Sequence, residues 1–424
     1  MKKTKKRKSC ILCGEKKLKI FLPLKNNRLG DLYFKTKNEK HLLDSRYDFS
    51  VYYCNSCFHY QLKTIVNSEF TWSNYFFQTT NKMKNNSHYH TYVKNVYSFL
   101  EKKPKSILDI GSNDGYLLNI FKKKIPYLLG VDASKKLTLI ANKKKIKTHY
   151  GYFNNKLANV LQKKYIEKFD LITANNVISH NDDLPSFIKG VKQLLSSNGI
   201  FVTEISYLPD ILKKNYFLGT VFHEHTSYHT LYPLNELFKK NNLKIVKCEK
   251  NKLQGGSLIC YVANEESNYK KHFSVAKILL NEKKENFLRP DKTKKYLKKL
   301  YNNKIIINNI IEKLKKQKAR IFAFGSSISS ATFINFFNLE KKLDFIVDDD
   351  PRKQKKFHSC NRLPIFSSEH MKKINNAYGI IFAWEHNDKI LKKFNEYIGD
   401  STGFIKIFPK VVLIKKSSIN KKTK

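Results

Sequence analysis

Four of the seven cysteines form two Cys-x-x-Cys pairs, Cys10 with Cys13 and Cys54 with Cys57. Each pair places two thiolates on one tight turn, and two such turns supply the four sulfur ligands of a tetrahedral structural zinc site. In a cytoplasmic chain, this pairing favours metal over disulfides. Because four cysteines leave no open coordination position, the pattern predicts a structural zinc ion and no catalysis at this site.

A glycine-containing loop, DIGSNDG, follows an apolar run at residues 109–115. Gly111 and Gly115 permit a tight turn and the close approach of a ligand to the backbone. The spacing differs from the Gly-x-Gly-x-x-Gly fingerprint of dinucleotide folds and is typical of the loop with which Rossmann-like methyltransferases hold S-adenosylmethionine (SAM). Asp132 ends the next predicted strand, where an acid can accept both ribose hydroxyls. An NAD or nucleotide site is the alternative.

Further side chains are expected to contact the same cofactor. Tyr152 and Phe153 follow the presumed third strand and are predicted to flank the adenine, and Asn175 and Asn176 end the fourth strand on the cofactor side. The predicted cofactor-binding residues are Asp109, Gly111, Asn113, Gly115, Asp132, Tyr152, Phe153, Asn175 and Asn176.

A polar run from Phe222 to Tyr228, FHEHTSY, follows the presumed fifth strand. A glutamate that orients a neighbouring histidine makes a competent base near neutral pH, so Glu224 and His225 are predicted to act in acid–base catalysis. His180, beyond the fourth strand, is expected to reach the same cleft. The run lacks the i, i+4 histidine pair of helical zinc proteases, which argues against a catalytic metal. An ordinary polar loop is the competing interpretation.

Strand and helix patterns alternate from Ser106 onward and would position these residues. SILDIG, YLLGVDAS, FDLITANNVIS and GIFVTEIS have the apolar character of buried strands, with helical patterns between them. This order predicts a parallel, doubly wound sheet of the Rossmann-like α/β class. The predicted organisation is a zinc-binding module at 9–66, a SAM-dependent methyltransferase domain at 67–262, a helical connector at 263–318 and a second, Rossmann-like α/β domain at 319–415.

The formal net charge of +46 on 424 residues suggests nucleic-acid binding as a function of another class. Only seven of the 81 basic residues are Arg, however, and Arg is the residue that grips phosphate and reads guanine as a fork. A zinc-ribbon nucleic-acid-binding protein would also leave DIGSNDG and HEH unexplained. No apolar run approaches the ~20 residues of a membrane span, and no apolar stretch follows the basic start, so a cytoplasmic protein is expected.

The two cysteine pairs, ILDIGSNDGYLL, ITANNVISH, FHEHTSY and QGGSLICYV occur in an order that resembles the sugar C-methyltransferases of deoxysugar, antibiotic-sugar and surface-polysaccharide pathways. FAFGSSISSATFINFF looks like that family's C-terminal domain, so the resemblance extends from Cys10 to about Pro409. It implies SAM-dependent methylation of a nucleotide-linked 4-keto sugar at a carbon beside the ketone, C3 in preference to C5. It also implies that His180, Glu224 and His225 lie in the active site.

Three positions depart from the family pattern and bear on the substrate. Phe222 and Phe77 stand at or near positions where the family has tyrosine, and Ile259 stands where its pattern has an arginine. Tyr75 or Tyr228 is an alternative source of a hydroxyl. An O- or N-methyltransferase acting on a small molecule, which needs no adjacent ketone, is the nearest alternative enzyme. The nucleotide, the sugar and the oligomeric state are left open.

Overall fold

The computed structural model describes residues 3–73, 78–80, 87–165, 168–394 and 402–415. Tyr75 and Phe77 lie outside these described residues. Within them, no helix combines the length and the apolar content needed to cross a membrane.

Short antiparallel strands form the N-terminal region that carries the cysteine pairs. Its elements are β1 (Thr4–Lys6), β2 (Leu18–Leu22), β3 (Tyr33–Phe34), β4 (Val51–Cys54), β5 (Tyr60–Leu62), β6 (Thr64–Val66) and helix α1 (Ser68–Ser73). β2, β4 and β5 make one sheet, and a fourth strand, β12 (Ser227–Tyr228), joins it beside β5 from the middle of the chain. The N-terminal sheet therefore includes residues that directly follow the HEH run.

A seven-stranded mixed sheet forms the central domain, with a hydrophobic core on each side. Its elements are α2 (His88–Phe99), β7 (Ser106–Ile110), α3 (Tyr116–Phe121), β8 (Tyr127–Asp132), α4 (Lys135–Lys143), β9 (Thr148–Tyr150), α5 (Asn155–Lys164), β10 (Phe169–Asn175), α6 (Leu184–Leu194), β11 (Leu195–Ser206), α7 (Leu208–Lys213), α8 (Leu231–Lys239), β13 (Leu243–Asn251) and β14 (Ser257–Asn264). The strand order is β13-β14-β11-β10-β7-β8-β9. The order reverses between β7 and β10, which is where ligands bind in doubly wound sheets.

Local sequence explains where these elements begin. The Asn154 side chain accepts a hydrogen bond from the Leu157 N–H and caps α5, and Asp183 caps α6 in the same way by accepting from the Ser186 N–H. The predicted strands and helices are confirmed. The predicted strands run parallel to one another. The sheet also contains an antiparallel hairpin of β13 and β14, which was not predicted and which joins it antiparallel to β11.

Three helices lead from the central domain to the C-terminal domain, as the charged helical pattern predicts. The elements are α9 (Phe273–Lys284), α10 (Pro290–Thr293), α11 (Lys295–Lys316), β15 (Arg320–Phe324), α12 (Ser330–Phe336), β16 (Phe345–Val347), β17 (Phe357–His358), β18 (Ile365–Phe366), β19 (Ala377–Ile381), α13 (Asn387–Phe394), β20 (Gly403–Lys406) and β21 (Val412–Lys415). The sheet order is β18-β16-β15-β19-β20-β21, parallel except for β21. β17 pairs with β3, which ties this domain to the N-terminal region.

Candidate active site

The four cysteines of the two pairs come together as predicted. Their Sγ atoms all lie within 4.8 Å of one another, with 3.4 Å between Cys10 and Cys57 and 3.5 Å between Cys13 and Cys54. A Zn–S bond of about 2.3 Å in a tetrahedron requires sulfur atoms about 3.8 Å apart. The cluster therefore fits a closed zinc site, and the only chemistry that a bound zinc ion supplies there is the cross-linking of the two turns.

The DIGSNDG loop has the backbone conformation that its glycines predict. Gly111, Asn113 and Gly115 have positive φ angles of 73°, 54° and 80°. A Cβ atom at Gly111 would lie 2.3 Å from the side chain of Val177, so the glycine is required by the protein's own packing. Asp132 fixes the loop, because its carboxylate accepts hydrogen bonds from the backbone N–H groups of Asn113 and Ser134, both at 2.8 Å.

A cavity lies against this loop. It brings together four predicted residues and four that were not predicted: Asp109, Gly111, Asn113 and Asn175, with Thr79, Tyr89, Ser112 and Leu117. Asp109 accepts a hydrogen bond from the Thr173 hydroxyl at 2.7 Å, and burial raises the pKa of its carboxyl to about 7. Both polar atoms of the buried Asn175 carboxamide lack a well-formed hydrogen bond within the described residues. The cavity thus offers hydrogen-bond acceptors where the ammonium group of SAM is predicted to bind.

The last three predicted cofactor residues, Tyr152, Phe153 and Asn176, have different surroundings. Phe153 is buried in the core against Phe187, at 5.1 Å between ring centroids. The Tyr152 hydroxyl donates to the Asp182 carboxylate at 3.1 Å. Asn176 has a positive φ and donates its N–H to the Glu204 carbonyl. Of the two residues predicted to flank the adenine, Phe153 has the more buried ring. The roles of Tyr152, Phe153 and Asn176 in cofactor binding stay predictions.

Residues 78–80 cover the outer side of the DIGSNDG loop. The Thr79 N–H donates to the Asn113 side-chain oxygen at 2.9 Å, and Gln78 and Thr80 both donate to the Asp114 carboxylate. Lys144 also pairs with Asp114 at 2.9 Å. Spacing in the sequence contains no signal for these contacts, because they join residues that are 30 to 36 positions apart.

Replacement of Asp132 by alanine is expected to weaken SAM binding by roughly 1.5–3 kcal/mol, the range for a lost charged hydrogen-bond partner. The carboxylate both anchors the loop and is predicted to accept the ribose hydroxyls. Isothermal titration calorimetry measures the change. Asp170→Ala is the matched control. Asp170 lies at the start of β10, at the opposite ends of the strands from the DIGSNDG loop, and its carboxylate accepts from the Lys105 N–H. Equal SAM affinity in both variants would contradict the placement of the cofactor.

Both outer domains hold the segment that contains the HEH run. The Thr226 N–H donates to the Ser179 carbonyl at 2.8 Å, and β12, which begins at the next residue, pairs with β5 of the N-terminal sheet. On the other side, the Thr332 hydroxyl of the C-terminal domain donates to the Val221 carbonyl at 2.6 Å. A Cβ atom at Gly219 would lie 2.4 Å from the Trp384 ring, so the C-terminal domain packs closely here. These contacts fix the backbone around the candidate catalytic residues.

His225 is oriented by a backbone carbonyl. Its Nδ1 lies 2.8 Å from the Thr220 oxygen, so Nδ1–H donates to that carbonyl and Nε2 keeps its lone pair. Burial lowers the pKa of His225 to about 4, which leaves the imidazole neutral at neutral pH. The predicted orientation of His225 by Glu224 is wrong, because the Nδ1 position is taken by the carbonyl of a turn that the HEH spacing does not reveal.

The other two predicted catalytic residues lie beside His225. The His180 and His225 rings are 4.8 Å apart between centroids, and His180 Nδ1 lies 3.8 Å from the Glu224 carboxylate. Burial lowers the pKa of His180 well below its ordinary value. Two further residues, His223 and Asp31, adjoin Glu224 and were not predicted. The structure therefore groups the three predicted residues into one buried cluster.

A second cavity adjoins His225. Its lining residues are Ser179, Ser206, Leu208, Ile211, Thr220, His225, Ser227 and Tyr228. The Tyr228 hydroxyl is buried without a hydrogen-bond partner in the described part of the chain. The two cavities lie at the ends of neighbouring strands, because Asn175 of the first pairs in register with Glu204, and Ser206 of the second is two residues further along β11. Both cavities therefore lie at the C-terminal ends of these two strands.

Three family models match consecutive parts of the chain. The model described as "Putative zinc binding domain" matches residues 10–71, "Methyltransferase domain" matches residues 86–248, and "C-methyltransferase C-terminal domain" matches residues 252–409. The matches follow the order of the cysteine cluster, the central sheet and the C-terminal domain.

Curated relatives include two kinds of methyltransferase. The C-methyltransferase NovU of Streptomyces niveus is 24% identical over 313 residues, which are 74% of this chain and 74% of NovU. The ubiquinone biosynthesis O-methyltransferase of Pelagibacter ubique is 32% identical over 158 residues, which are 34% of this chain and 63% of that protein.

Solved structures similar to the chain include SAM-dependent methyltransferases from Anabaena variabilis and Clostridium acetobutylicum. The first has a TM-score of 0.37 at 14% identity and covers 47% of this chain and 96% of its own. The second has a TM-score of 0.34 at 15% identity and covers 44% and 96%.

The matched domains, together with the DIGSNDG loop at the reversal of strand order, define a SAM-dependent methyltransferase. Its N-terminal zinc-binding domain holds a structural zinc ion on four cysteines. The C-terminal domain model and the relation to NovU show that the chain is a SAM-dependent C-methyltransferase.

Proposed function

We propose that the chain methylates a nucleotide-linked 4-keto sugar at a carbon next to the ketone, C3 in preference to C5. The observation that carries this proposal is the arrangement of His225. Its Nδ1–H is held by the Thr220 carbonyl, and the residue lines a cavity beside the cofactor cavity. A neutral imidazole with one open nitrogen is suited to remove a carbon-bound proton. The motif resemblance to the sugar C-methyltransferases supports the class of substrate.

In this proposal His225 acts first, by taking the proton from the carbon beside the ketone onto Nε2. The Thr220 carbonyl accepts from Nδ1–H and stabilises the imidazolium that forms. The electron pair of the broken C–H bond moves into the enolate, whose oxygen needs a hydrogen-bond donor. The unpaired Tyr228 hydroxyl lines the same cavity and can donate to that oxygen. SAM, when bound, supplies the electrophilic methyl group for the new carbon–carbon bond.

The structure shows the surroundings of two residues that depart from the family pattern, Phe222 and Ile259. Phe222 lies 4.0 Å from the His225 ring between centroids, so it shields the base from water without offering a hydroxyl. Tyr228 is then the candidate phenol of this cavity. Ile259 is buried in the core of the central sheet, away from solvent, and its side chain makes no polar contact there.

Incubation with SAM and a panel of nucleotide 4-keto sugars is expected to yield a product heavier by one methyl group on carbon, detected by mass spectrometry and located by NMR. In D₂O, the sugar proton beside the ketone should exchange with solvent, because His225 removes it before methyl transfer. Exchange is to be measured with S-adenosylhomocysteine filling the cofactor site. An O-methyltransferase never removes a carbon-bound proton. Methylation on oxygen without any exchange would therefore reject the proposal.

A further inference from the structure

An aromatic residue lines the cavity that adjoins DIGSNDG. Tyr89 lies in the first turn of α2, is half-buried and is one of the lining residues that the sequence did not predict. Its ring packs against the ring of Tyr116, at 5.9 Å between centroids, and edge-on against Tyr92 at 6.4 Å. These two neighbours hold the Tyr89 ring in the wall of the cavity.

A buried contact fixes the start of α2 against the central sheet. His88 Nε2 lies 2.8 Å from Glu204 Oε2, and the Asn251 side chain donates to Glu204 Oε1 at 2.7 Å. Glu204 is fully buried on β11 and pairs in register with Asn175, which lines the same cavity as Tyr89. Because Tyr89 directly follows His88, this contact places Tyr89 at the C-terminal ends of β10 and β11.

This end of the cavity is the one at which the reactive group of SAM is expected. Asp132, predicted to bind the ribose, ends β8, which lies on the far side of β7 from β10 and β11. Ser206 of the second cavity lies two residues beyond Glu204 on β11. A methyl donor has to direct its methyl group toward the acceptor, so the sulfonium should lie nearer to β10 and β11 than the ribose does.

We propose that Tyr89 determines cofactor specificity, because its ring attracts the positively charged sulfonium of SAM and not the neutral sulfur of S-adenosylhomocysteine (SAH). The face of an aromatic ring attracts a cation that lies within about 6 Å of its centroid. The attraction ends when the methyl group leaves the sulfur, so methyl transfer itself weakens the hold on the product. His88 and Glu204 are then positioning residues for the ring. The inference rests on the placement of SAM in this cavity and holds for any methyl acceptor.

Calorimetric titration of SAM and of SAH, each without a methyl acceptor, tests the contact. In Tyr89→Leu, the ratio of the SAM Kd to the SAH Kd should rise by about five- to thirtyfold, because leucine offers no ring to the cation. Tyr89→Phe keeps the ring and should stay within about twofold of the wild-type ratio. A purely structural defect would weaken both ligands alike and leave the ratio unchanged.

Variants of His88 test the positioning role. His88→Leu should raise the ratio in the same direction, whereas His88→Gln, whose amide can donate to Glu204, should return it toward the wild-type value. Tyr97→Leu is the matched control, since Tyr97 is also on α2 but packs against Phe121, at 5.7 Å between centroids, and does not line the cavity. Its ratio should equal that of the wild type. Thermal unfolding identifies the folded variants, and His88→Leu provides the test if Tyr89→Leu does not fold.

An unchanged ratio in folded Tyr89→Leu overturns the proposal. A rise in Tyr89→Phe as large as that in Tyr89→Leu also overturns it, because the hydroxyl and not the ring would then make the contact. If Asp132→Ala binds SAM as tightly as the wild type, the placement of the cofactor is wrong and the ring contact fails with it. None of these titrations includes a sugar, so their failure leaves the proposed function to its own test by carbon methylation and proton exchange.

Discussion

His225→Asn is expected to lower both sugar-proton exchange and methylation by about 10²–10⁴-fold, the usual contribution of a general base. Asparagine can still donate a side-chain N–H toward the Thr220 carbonyl, which the wild-type Nδ1 meets at 2.8 Å. It has no basic nitrogen at the position of Nε2. The variant therefore removes the base and keeps the hydrogen bond to the Thr220 carbonyl. His225→Ala removes both and should lose at least as much activity.

NMR of the keto sugar in D₂O measures exchange, and calorimetry measures SAM affinity in the same preparations. SAM affinity should stay unchanged, because the cavity that adjoins DIGSNDG does not include His225. His90→Ala is the matched control, since His90 is an exposed histidine on α2. A loss of less than about tenfold in exchange would move the base to another residue, and His180, whose ring is 4.8 Å away, is the first candidate.

The parts of the site that could be predicted are those whose chemistry is local in the chain. Two Cys-x-x-Cys turns indicate a four-sulfur cluster, and the Sγ atoms of Cys10, Cys13, Cys54 and Cys57 do converge. The DIGSNDG loop has three positive φ angles where its glycines and asparagine allow them. The strand patterns were recognisable because a strand covered on both faces is apolar over most of its length.

The parts that were missed depend on contacts between distant segments. Asp31 meets His223 across 192 positions of the chain, and a lone aspartate in a loop carries no spacing signal. The Thr220 carbonyl that orients His225 is backbone, so any residue type supplies it. The antiparallel hairpin of β13 and β14 was missed because alternating strand patterns do not encode the direction in which an edge strand joins its neighbour.

The position of β12 changes what loss of zinc should do. Cys54 ends β4, which pairs with β5, and β5 pairs with Ser227 and Tyr228 of β12. Tyr228 lines the candidate substrate cavity, and His225 lies two residues before β12. A disordered cysteine cluster would therefore disturb the sheet edge that positions the catalytic run, while the DIGSNDG loop belongs to a separate sheet.

Cys54→Ser is expected to reduce the zinc content from about one ion per chain to little or none, because a structural site binds its metal through four thiolates. Metal binding of this kind is a large part of the folding free energy of small domains, of order 10 kcal/mol. The variant should thus unfold at lower temperature, lose methylation, and keep more of its SAM binding than of its catalysis. Elemental analysis of zinc, thermal unfolding and calorimetry of SAM binding measure these effects.

Cys360→Ser is the control, because Cys360 is a buried cysteine outside the cluster, and this variant should retain the zinc ion. Wild-type protein that contains no zinc when purified with reductant would contradict the assignment of the cluster.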